Sequence, residues 1–162
     1  MTQRTVNLRA PNKKATLLFL VKDDQILLAM KKRGFGRGRY NGVGGKVERG
    51  ESVLSAALRE TKEEIGVLPK KVKRVALLDF YFPHNPDWHQ RVSVYLCSSW
   101  RGNPRESAEM KPKWFDECDL PFKRMWSDDT LWLPHVLHGK KVKAKFIFTK
   151  DDKIRDYTVE VK

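Results

Sequence analysis

The sequence predicts an α+β domain, in which β-strands and two separate helices pack in layers around one core. Three observations support this fold class. Apolar runs flank a short polar turn near each end of the chain, which predicts two β-hairpins. A segment with helical periodicity lies between further apolar runs, and no internal repeat, low-complexity tract or Pro/Ser-rich linker interrupts the chain. We therefore expect a single domain over residues 15–162, preceded by a flexible basic lead over residues 1–14.

The first part of the domain predicts a hairpin followed by a glycine-rich loop. The hairpin joins Thr16–Val21 to Gln25–Met30 across a Lys-Asp-Asp turn. Seven of the ten glycines follow between residues 34 and 50. Because glycine lacks a Cβ, this composition favours a loop whose backbone can approach other groups closely.

A helix is predicted over Ser52–Ile65, directly after this loop. Ser52 is a suitable N-cap, and Gly66 and Pro69 are expected to end the helix. The expected buried face is an apolar stripe at helical spacing, formed by Leu54, Leu58, Thr61 and Ile65.

The rest of the chain predicts five strands and a second helix. The strands, rich in aromatic and β-branched residues, are Val75–Phe82, Arg91–Ser98, Trp114–Phe115, Ala144–Thr149 and Tyr157–Val161. The last two form the second hairpin. The sequence Ser127-Asp128-Asp129 is typical of a helix cap and first turn, and Pro134 is expected to kink or divide that helix.

The charge and cysteine content limit the partners and the setting of the chain. It carries 33 Lys and Arg against 20 Asp and Glu, a formal net charge of +13. This balance attracts nucleotides, nucleic acids and acidic membranes without selecting among them. No apolar stretch approaches the length that spans a bilayer, since the longest, Ala15–Val21, ends at a charged turn. Two cysteines, Cys97 and Cys118, are too few for a disulfide scaffold, so we expect a reducing, cytoplasmic setting.

Three glutamates share one face of the predicted first helix. Glu60, Glu63 and Glu64 stand at positions i, i+3 and i+4, roughly opposite the apolar stripe. Like charges at this spacing repel unless they are solvated or neutralised by a cation. Carboxylate oxygens suit Mg²⁺ or Mn²⁺, which also bind phosphate oxygens. The alternative interpretation is a solvated acidic face without a ligand.

The glycine-rich loop supplies what a phosphate site beside these carboxylates needs. The small residues Val53, Ala56 and Ala57 leave room for the backbone of residues 42–46 to approach the helix. Cations that are available to phosphates surround the loop, namely Lys31, Lys32, Arg33, Arg37, Arg39 and Lys46. The alternative interpretation is a mobile surface loop.

The loop and the helix together resemble the Nudix box, G-x5-E-x7-R-E-U-x-E-E-x-G-U, where U is a bulky aliphatic residue. The residues that match at the required spacing are Gly45, Glu51, Arg59, Glu60, Glu63, Glu64, Gly66 and Val67. Thr61, at the first U position, is the one departure, and its β-branched side chain suits that slot. The resemblance places a Nudix box at residues 45–67 and implies an α/β/α sandwich with a mixed central β-sheet.

The resemblance also implies a divalent metal site and a reaction. In the family, the glutamates that match Glu60, Glu63 and Glu64 hold the metal, expected here to be Mg²⁺, with Mn²⁺ as an alternative. A backbone carbonyl near Gly44 or Gly45 commonly adds a ligand. The reaction is an in-line attack of water on phosphorus, which releases pyrophosphate from a nucleoside triphosphate.

Two further roles follow from the family pattern. The arginine that matches Arg59 usually pairs with the glutamate at Glu51 and braces the loop. The general base stays open among Glu63, Glu64 and Glu109. Glu109 lies in a loop beyond the predicted sheet and is also a candidate metal ligand, and its alternative interpretation is a plain surface acid.

Outside the box, the chain resembles the oxidised purine nucleoside triphosphatases among the Nudix hydrolases. The similarity rests on residues 30–42 and 121–134 and on shorter matches, whereas residues 81–90 depart and are expected at the pocket rim. The resemblance implies that Asn41, Trp126, Asp128 and Asp129 bind the base. It places around the pocket Thr16, Phe35, Phe80 and Phe82. Lys31, one of the cations around the glycine-rich loop, is a further candidate for substrate binding.

The chemistry of the four base-binding residues fits a purine. Trp126 offers a stacking face, and Asn41 carries both a donor and an acceptor. Adjacent Asp128 and Asp129 are expected to titrate together, so that one keeps a proton and the pair offers a donor and an acceptor. The alternatives are helix-start electrostatics for the acids and core packing for the indole, and core packing is the preferred interpretation of Trp132.

These observations predict a monomeric, Mg²⁺-dependent nucleoside triphosphate pyrophosphohydrolase that acts on nucleotides such as 8-oxo-dGTP and 2-hydroxy-dATP and so cleans the nucleotide pool. Two alternatives stay open. One is a different Nudix substrate, such as an RNA cap, a dinucleoside polyphosphate or a nucleotide sugar. The other is a non-catalytic nucleic-acid-binding module that uses the basic surface, against which the intact set of glutamates argues because it repels a polyanion.

Overall fold

The computed structural model describes residues 8–162, so residues 1–7 of the expected basic lead lie outside it. The described residues form eight strands and two α-helices. The strands are β1 Lys14–Lys22, β2 Gln25–Lys31, β3 Tyr40–Asn41, β4 Leu68–Tyr81, β5 Gln90–Arg101, β6 Met110–Asp116, β7 Val142–Phe148 and β8 Ile154–Val161. The helices are α1 Val53–Ile65 and α2 Asp129–Leu137. Neither is long and apolar enough to cross a membrane.

All eight strands form one mixed sheet. Their order is β3-β2-β1-β5-β4-β7-β8, and β6 also pairs with β2. Two central pairs, β1 with β5 and β4 with β7, are parallel, while the other pairs are antiparallel. This confirms the mixed sheet that the family resemblance implied.

The two helices cover opposite faces of the sheet. Phe19 on β1 packs in one core with Trp132 of α2. Its neighbours Leu18 and Leu20 pack in a second core with Ala57 of α1. Because successive side chains of a strand point to opposite faces, the helices lie on either side of the sheet. The expected α/β/α sandwich is confirmed, and so is the packing role of Trp132, which is fully buried.

The first hairpin is present but opens soon after its turn. β1 and β2 pair only at Val21–Ile26 and Lys22–Gln25. Farther from the turn, the glycine-rich loop bridges to β1 at Val43 and Lys46 in place of β2. The opening therefore brings the loop onto the strand that precedes it.

The buried face of α1 differs from the predicted apolar stripe. Leu54 is 42% exposed, whereas Ala56, Ala57 and Glu64 are buried. The helix turns its small residues inward because the glycine-rich backbone and β1 lie directly against it. The stripe prediction is therefore wrong at Leu54, although the predicted Ser52 cap is confirmed by its hydrogen bond from the Ser55 amide.

β4 is longer than predicted. It begins at Leu68 rather than at Val75 and pairs with the far end of β5. Pro69 lies inside it, which is tolerated because β7 pairs with β4 only from Ala76 onward and leaves the earlier edge open. The proline therefore marks an edge segment and not merely the end of the preceding helix.

α2 continues through Pro134, so the proline does not divide the helix, and the alternative expectation of a kink stays a prediction. In a helix of nine residues the proline removes few backbone hydrogen bonds, and buried Trp132, Leu133 and Val136 hold the helix against the sheet. The cap position is Asp128 rather than Ser127, but its carboxylate makes no capping bond. That carboxylate is used elsewhere.

Candidate active site

A cleft of about 260 Å³ opens between the glycine-rich loop and the segment that precedes α2. Most of the residues expected to bind substrate line it, together with both glycines expected near the metal: Thr16, Lys31, Phe35, Asn41, Gly44, Gly45, Phe80, Trp126, Asp128 and Asp129. Phe82 lies behind this lining, with its ring centroid 6.5 Å from that of Trp126.

Glycine is required where the loop passes between β1 and α1. A Cβ at Gly44 would lie 1.8 Å from the backbone oxygen of Thr16, and one at Gly45 would lie 2.7 Å from the carboxyl carbon of Glu60. The loop is held there by the Thr16 amide, which donates to the Gly45 carbonyl at 2.9 Å. The backbone therefore touches the carboxylate face of the helix, as its composition indicated.

Two of the three glutamates face inward and the third does not. Glu64 is 6% exposed, and the side chain of Glu60 is 17% exposed. The Glu63 side chain is 58% exposed and accepts a hydrogen bond from Arg59 at 3.2 Å. The structure thus brings Glu60 and Glu64 together beside Gly44 and Gly45 and leaves Glu63 at the solvent edge.

The environment of Glu64 fits a cation. Burial, followed by the neighbouring Glu60 carboxyl, raises the pKa of Glu64 to about 9. Its Oε2 is buried without a hydrogen-bond partner in the described part of the chain. A divalent ion would satisfy this oxygen and favour the ionised form. Within residues 8–162, however, no three His, Cys, Asp or Glu side chains stand close enough together to form a metal site by themselves.

Arg59 ties the helix to the loop. Its Nε and Nη2 donate to the two carboxylate oxygens of Glu51 at 2.7 and 3.0 Å, and Nη2 also donates to the Lys46 carbonyl at 3.1 Å. Nη1 donates to Glu60 at 2.9 Å. The two bonds from Arg59 to Glu51, followed by the bond from the Glu48 amide, lower the pKa of Glu51 to about 2. The geometry agrees with the bracing role expected for Arg59, and the same residue also orients Glu60.

The other end of the cleft holds two buried acids. Asp128 and Asp129 are each 2% exposed. Oδ2 of Asp128 accepts a hydrogen bond from Trp132 Nε1 at 2.7 Å, whereas Oδ2 of Asp129 is buried with no partner among the described residues. Burial raises the pKa of Asp128 to about 6, and burial followed by the Asp128 charge raises the pKa of Asp129 well above its ordinary value. The cleft therefore presents a pair of carboxyls that together hold a proton at a pH where isolated carboxyls have lost theirs.

Two uncharged polar groups join these acids in the cleft. Asn41 Oδ1 accepts from the Gly42 amide at 2.8 Å, which leaves the Asn41 amide hydrogens for a ligand. The hydroxyl of Thr16 is buried and has no partner among residues 8–162. Both face the same cleft as the acid pair.

Arg39 is a cleft residue that the sequence did not single out for base binding. Its guanidinium lies 4.0 Å from the ring centroid of Trp126, and its Nη2 contacts Asp152 at 3.3 Å. Asp152 belongs to the β7–β8 turn, far from Arg39 in sequence. Only the general preference of arginine for aromatic faces could have suggested this contact.

An aromatic cluster forms the rim beside Trp126. Phe35 lies 5.1 Å from Trp126 and 4.8 Å from Trp88, measured between ring centroids. Phe35 is 40% exposed and Trp88 is 39% exposed. Trp88 ends a 3-10 turn within residues 81–90, the segment expected at the rim, although no sequence pattern distinguishes this tryptophan.

Glu109 is held by the basic loop. Its Oε1 accepts from Arg33 Nε at 3.0 Å and from Arg33 Nη2 at 2.6 Å, which lowers the pKa of Glu109. The Glu109 carbonyl accepts from the Lys32 amide at 2.8 Å. These contacts place Glu109 at the end of β2, and its roles as base or metal ligand stay predictions.

Comparisons with known proteins agree with this geometry. An oxidised purine nucleoside triphosphate hydrolase from Danio rerio is 38% identical over 149 residues, which cover 92% of this chain and 95% of that protein. Its counterpart from Mus musculus is 39% identical over 144 residues, covering 89% and 92%. The crystal structure of a mutator MutT protein from Bacillus halodurans superposes with a TM-score of 0.81 at 26% identity, covering 91% of this chain and 97% of that one.

The pattern of the NUDIX domain matches residues 11–136, which include the loop, α1 and most of the cleft. Relatives at this identity and coverage share the whole domain rather than the box alone. Enzymes of this family generally use a divalent metal. The chain belongs to the Nudix hydrolase family.

Proposed function

We propose that this protein hydrolyses oxidised purine nucleoside triphosphates, such as 8-oxo-dGTP and 2-hydroxy-dATP, to the monophosphate and pyrophosphate. The observation that carries the proposal is one cleft with two different ends. Its glycine-lined end meets the Glu60–Glu64 pair, and its other end holds the Asp128–Asp129 pair. The relatives from Danio rerio and Mus musculus, whose names describe this activity, support the assignment.

At the glycine-lined end, Glu60 and Glu64 would hold Mg²⁺, or Mn²⁺, together with a backbone carbonyl of the loop. When bound, the ion supplies Lewis-acid activation of the phosphate chain. The chain's own residues orient the reactants: Arg59 fixes Glu60, and Lys31 and Lys46 line the cleft where phosphate charge would lie. Glu63, Glu64 and Glu109 are the candidates for activating the attacking water.

At the other end, the protonation states of the acids explain how one pocket would accept two oxidised bases. The protonated Asp129 donates a hydrogen bond, and Asp128 accepts one. Asn41 adds a donor from its free amide hydrogens. Exchange of the proton between the two acids would reverse the donor and acceptor that face the base, so oxidised guanine and oxidised adenine could both be matched.

Pyrophosphate release from 8-oxo-dGTP and dGTP, with and without Mg²⁺, tests the proposal. We expect Mg²⁺-dependent turnover and a higher kcat/KM for the oxidised nucleotide. Equal turnover of both nucleotides would contradict the base-pocket assignment and direct attention to capped RNA or dinucleoside polyphosphates. Absence of turnover with either nucleotide would contradict the proposed substrate class.

We further propose that the enzyme acts as a cytoplasmic monomer. Both cysteines are free, Cys97 in the core and Cys118 at the surface, which suits a reducing compartment. Light scattering of the purified protein would test the monomer, since a mass of twice 18.9 kDa would contradict it.

A further inference from the structure

A second cleft, with a strongly basic lining, lies at the other end of β4 and β7. It has a volume of about 360 Å³ and is lined at its edges by Arg74, Lys141, Lys143 and Lys162. Glu160 is the one acid in the lining. The candidate active-site cleft lies toward the opposite end of β4, where Phe80 lines it.

Topology explains why the cations meet there. β7 begins beside Ala76, so the earlier half of β4 has an open edge that runs into the cleft. Four of the five residues from 70 to 74 are basic, and all four are exposed. Lys143 alternates with buried Ala144, so its side chain leaves the sheet on the face opposite α2. Lys141 pairs through its backbone with Lys162, which adds the end of β8 to the same place.

The charged groups of these cations have no acidic partner in the described part of the chain. Within residues 8–162, none of Arg74, Lys141, Lys143 and Lys162 is in an ion pair. Lys143 stands opposite Glu160 on β8, but their charged groups do not come within ion-pair distance. Unpaired cations crowded around a concavity repel one another, and a bound polyanion relieves that repulsion.

We propose that this basic cleft binds the phosphate backbone of a single-stranded nucleic acid, independently of the catalytic cleft. A single phosphate group would be satisfied by two or three cations, whereas four cations line this cleft and further exposed cations follow on both faces of the adjoining strand, at residues 70–73. A basic groove that follows an extended chain is how single strands are held without reading their sequence. The four cations of this cleft are part of the excess that gives the chain its net charge of +13.

Binding of a fluorescein-labelled 20-nucleotide single strand, measured by anisotropy in EDTA, tests the proposal. EDTA removes divalent metal from the catalytic cleft, so that site contributes little to polyanion binding. The variant R74Q/K141Q/K143Q removes three cleft cations. The matched control K22Q/K123Q/K150Q removes three exposed cations elsewhere and causes the same change in net charge.

We expect the cleft variant to bind about 100-fold more weakly at 0.1 M salt and to lose about 2 from the slope of log K against log salt, since each phosphate contact on a single strand contributes about 0.7. The control should change affinity less than about threefold. Both variants should retain the melting temperature and the nucleotide turnover of the parent. If the triple variant folds poorly, K143Q alone should weaken binding about fivefold.

Three outcomes would overturn the proposal. One is equal weakening by the two triple variants, which would assign binding to net charge alone. Another is an affinity that does not rise between 5 and 20 nucleotides, which would indicate a site for a single phosphate group. The third is failure of the parent to bind the strand while it sediments with phosphatidylserine vesicles, which would assign the cleft to a membrane surface.

Discussion

Arg59 binds both carboxylate oxygens of Glu51 while its third nitrogen holds Glu60, so a single guanidinium connects the loop to a proposed metal ligand. The planar fork of arginine makes this double contact possible, and lysine cannot reproduce it. The position of Glu60 therefore depends on the arginine as well as on the helix.

We expect R59K to lower kcat by about 100-fold, because loss of the fork displaces Glu60 and the Lys46 carbonyl by distances near 1 Å. E51Q should show a smaller loss in the same direction. Steady-state kinetics with 8-oxo-dGTP would measure both. Unchanged kcat in R59K would show that the brace has no part in catalysis.

The two inner glutamates and the outer one should respond differently to neutralisation. E64Q removes a buried carboxylate expected to hold the metal, a contribution of several kcal/mol, so kcat should fall by about 1000-fold or more. The melting temperature of E64Q should not fall, because Oε2 has no partner to lose within the described chain. E63Q, at the exposed position, should retain more activity than E64Q. A reversed order would exchange the roles of the two residues.

The acid pair predicts a pH dependence of base binding. The pKa of Asp128 is about 6, so its acceptor charge is present above that pH and is lost below it. The affinity for the nucleoside 8-oxo-deoxyguanosine, which carries no phosphate, should therefore fall as the pH drops from 7 to 5. D128N should bind weakly and without this dependence. Titration calorimetry in EDTA separates this effect from the metal carboxylates, and a flat parent profile would contradict it.

The same shifts predict how stability changes with pH. Both acids have a higher pKa in the folded state than the ordinary value of 3.8, so the folded state binds more protons and the free energy of unfolding falls as the pH rises above about 4. D129N removes one of these groups. The melting temperature of D129N minus that of the parent should be larger at pH 8 than at pH 5. Thermal unfolding at both pH values measures the difference, and a difference of the opposite sign would show that Asp129 is ionised in the fold.

Trp88 should contribute to substrate affinity through Phe35. Aromatic contacts of this kind are worth about 0.5–1.5 kcal/mol, so W88A should raise KM for 8-oxo-dGTP by about 2- to 10-fold with little change in kcat. W88F, which keeps an aromatic ring, is the control and should lie close to the parent. An unchanged KM in W88A would exclude the rim from substrate binding.

The sequence by itself determined the features that depend on neighbouring residues. The limits of α1 follow from Ser52 and Gly66, which act within one helical turn, and the Nudix box follows from spacing along one loop and helix. The alternation of apolar residues was enough to place most strands, although it missed the early half of β4 because basic residues fill that open edge.

Tertiary structure decided which groups meet across long separations in the chain. The inward face of α1 is set by the backbone at Gly44 and Gly45, so Glu64 becomes buried although helical periodicity favoured Leu54. Arg39 lies between Trp126 and Asp152 of the β7–β8 turn, two residues that are far from it in the chain. Burial and pKa shifts depend on everything that surrounds a group, and no local pattern encodes that environment.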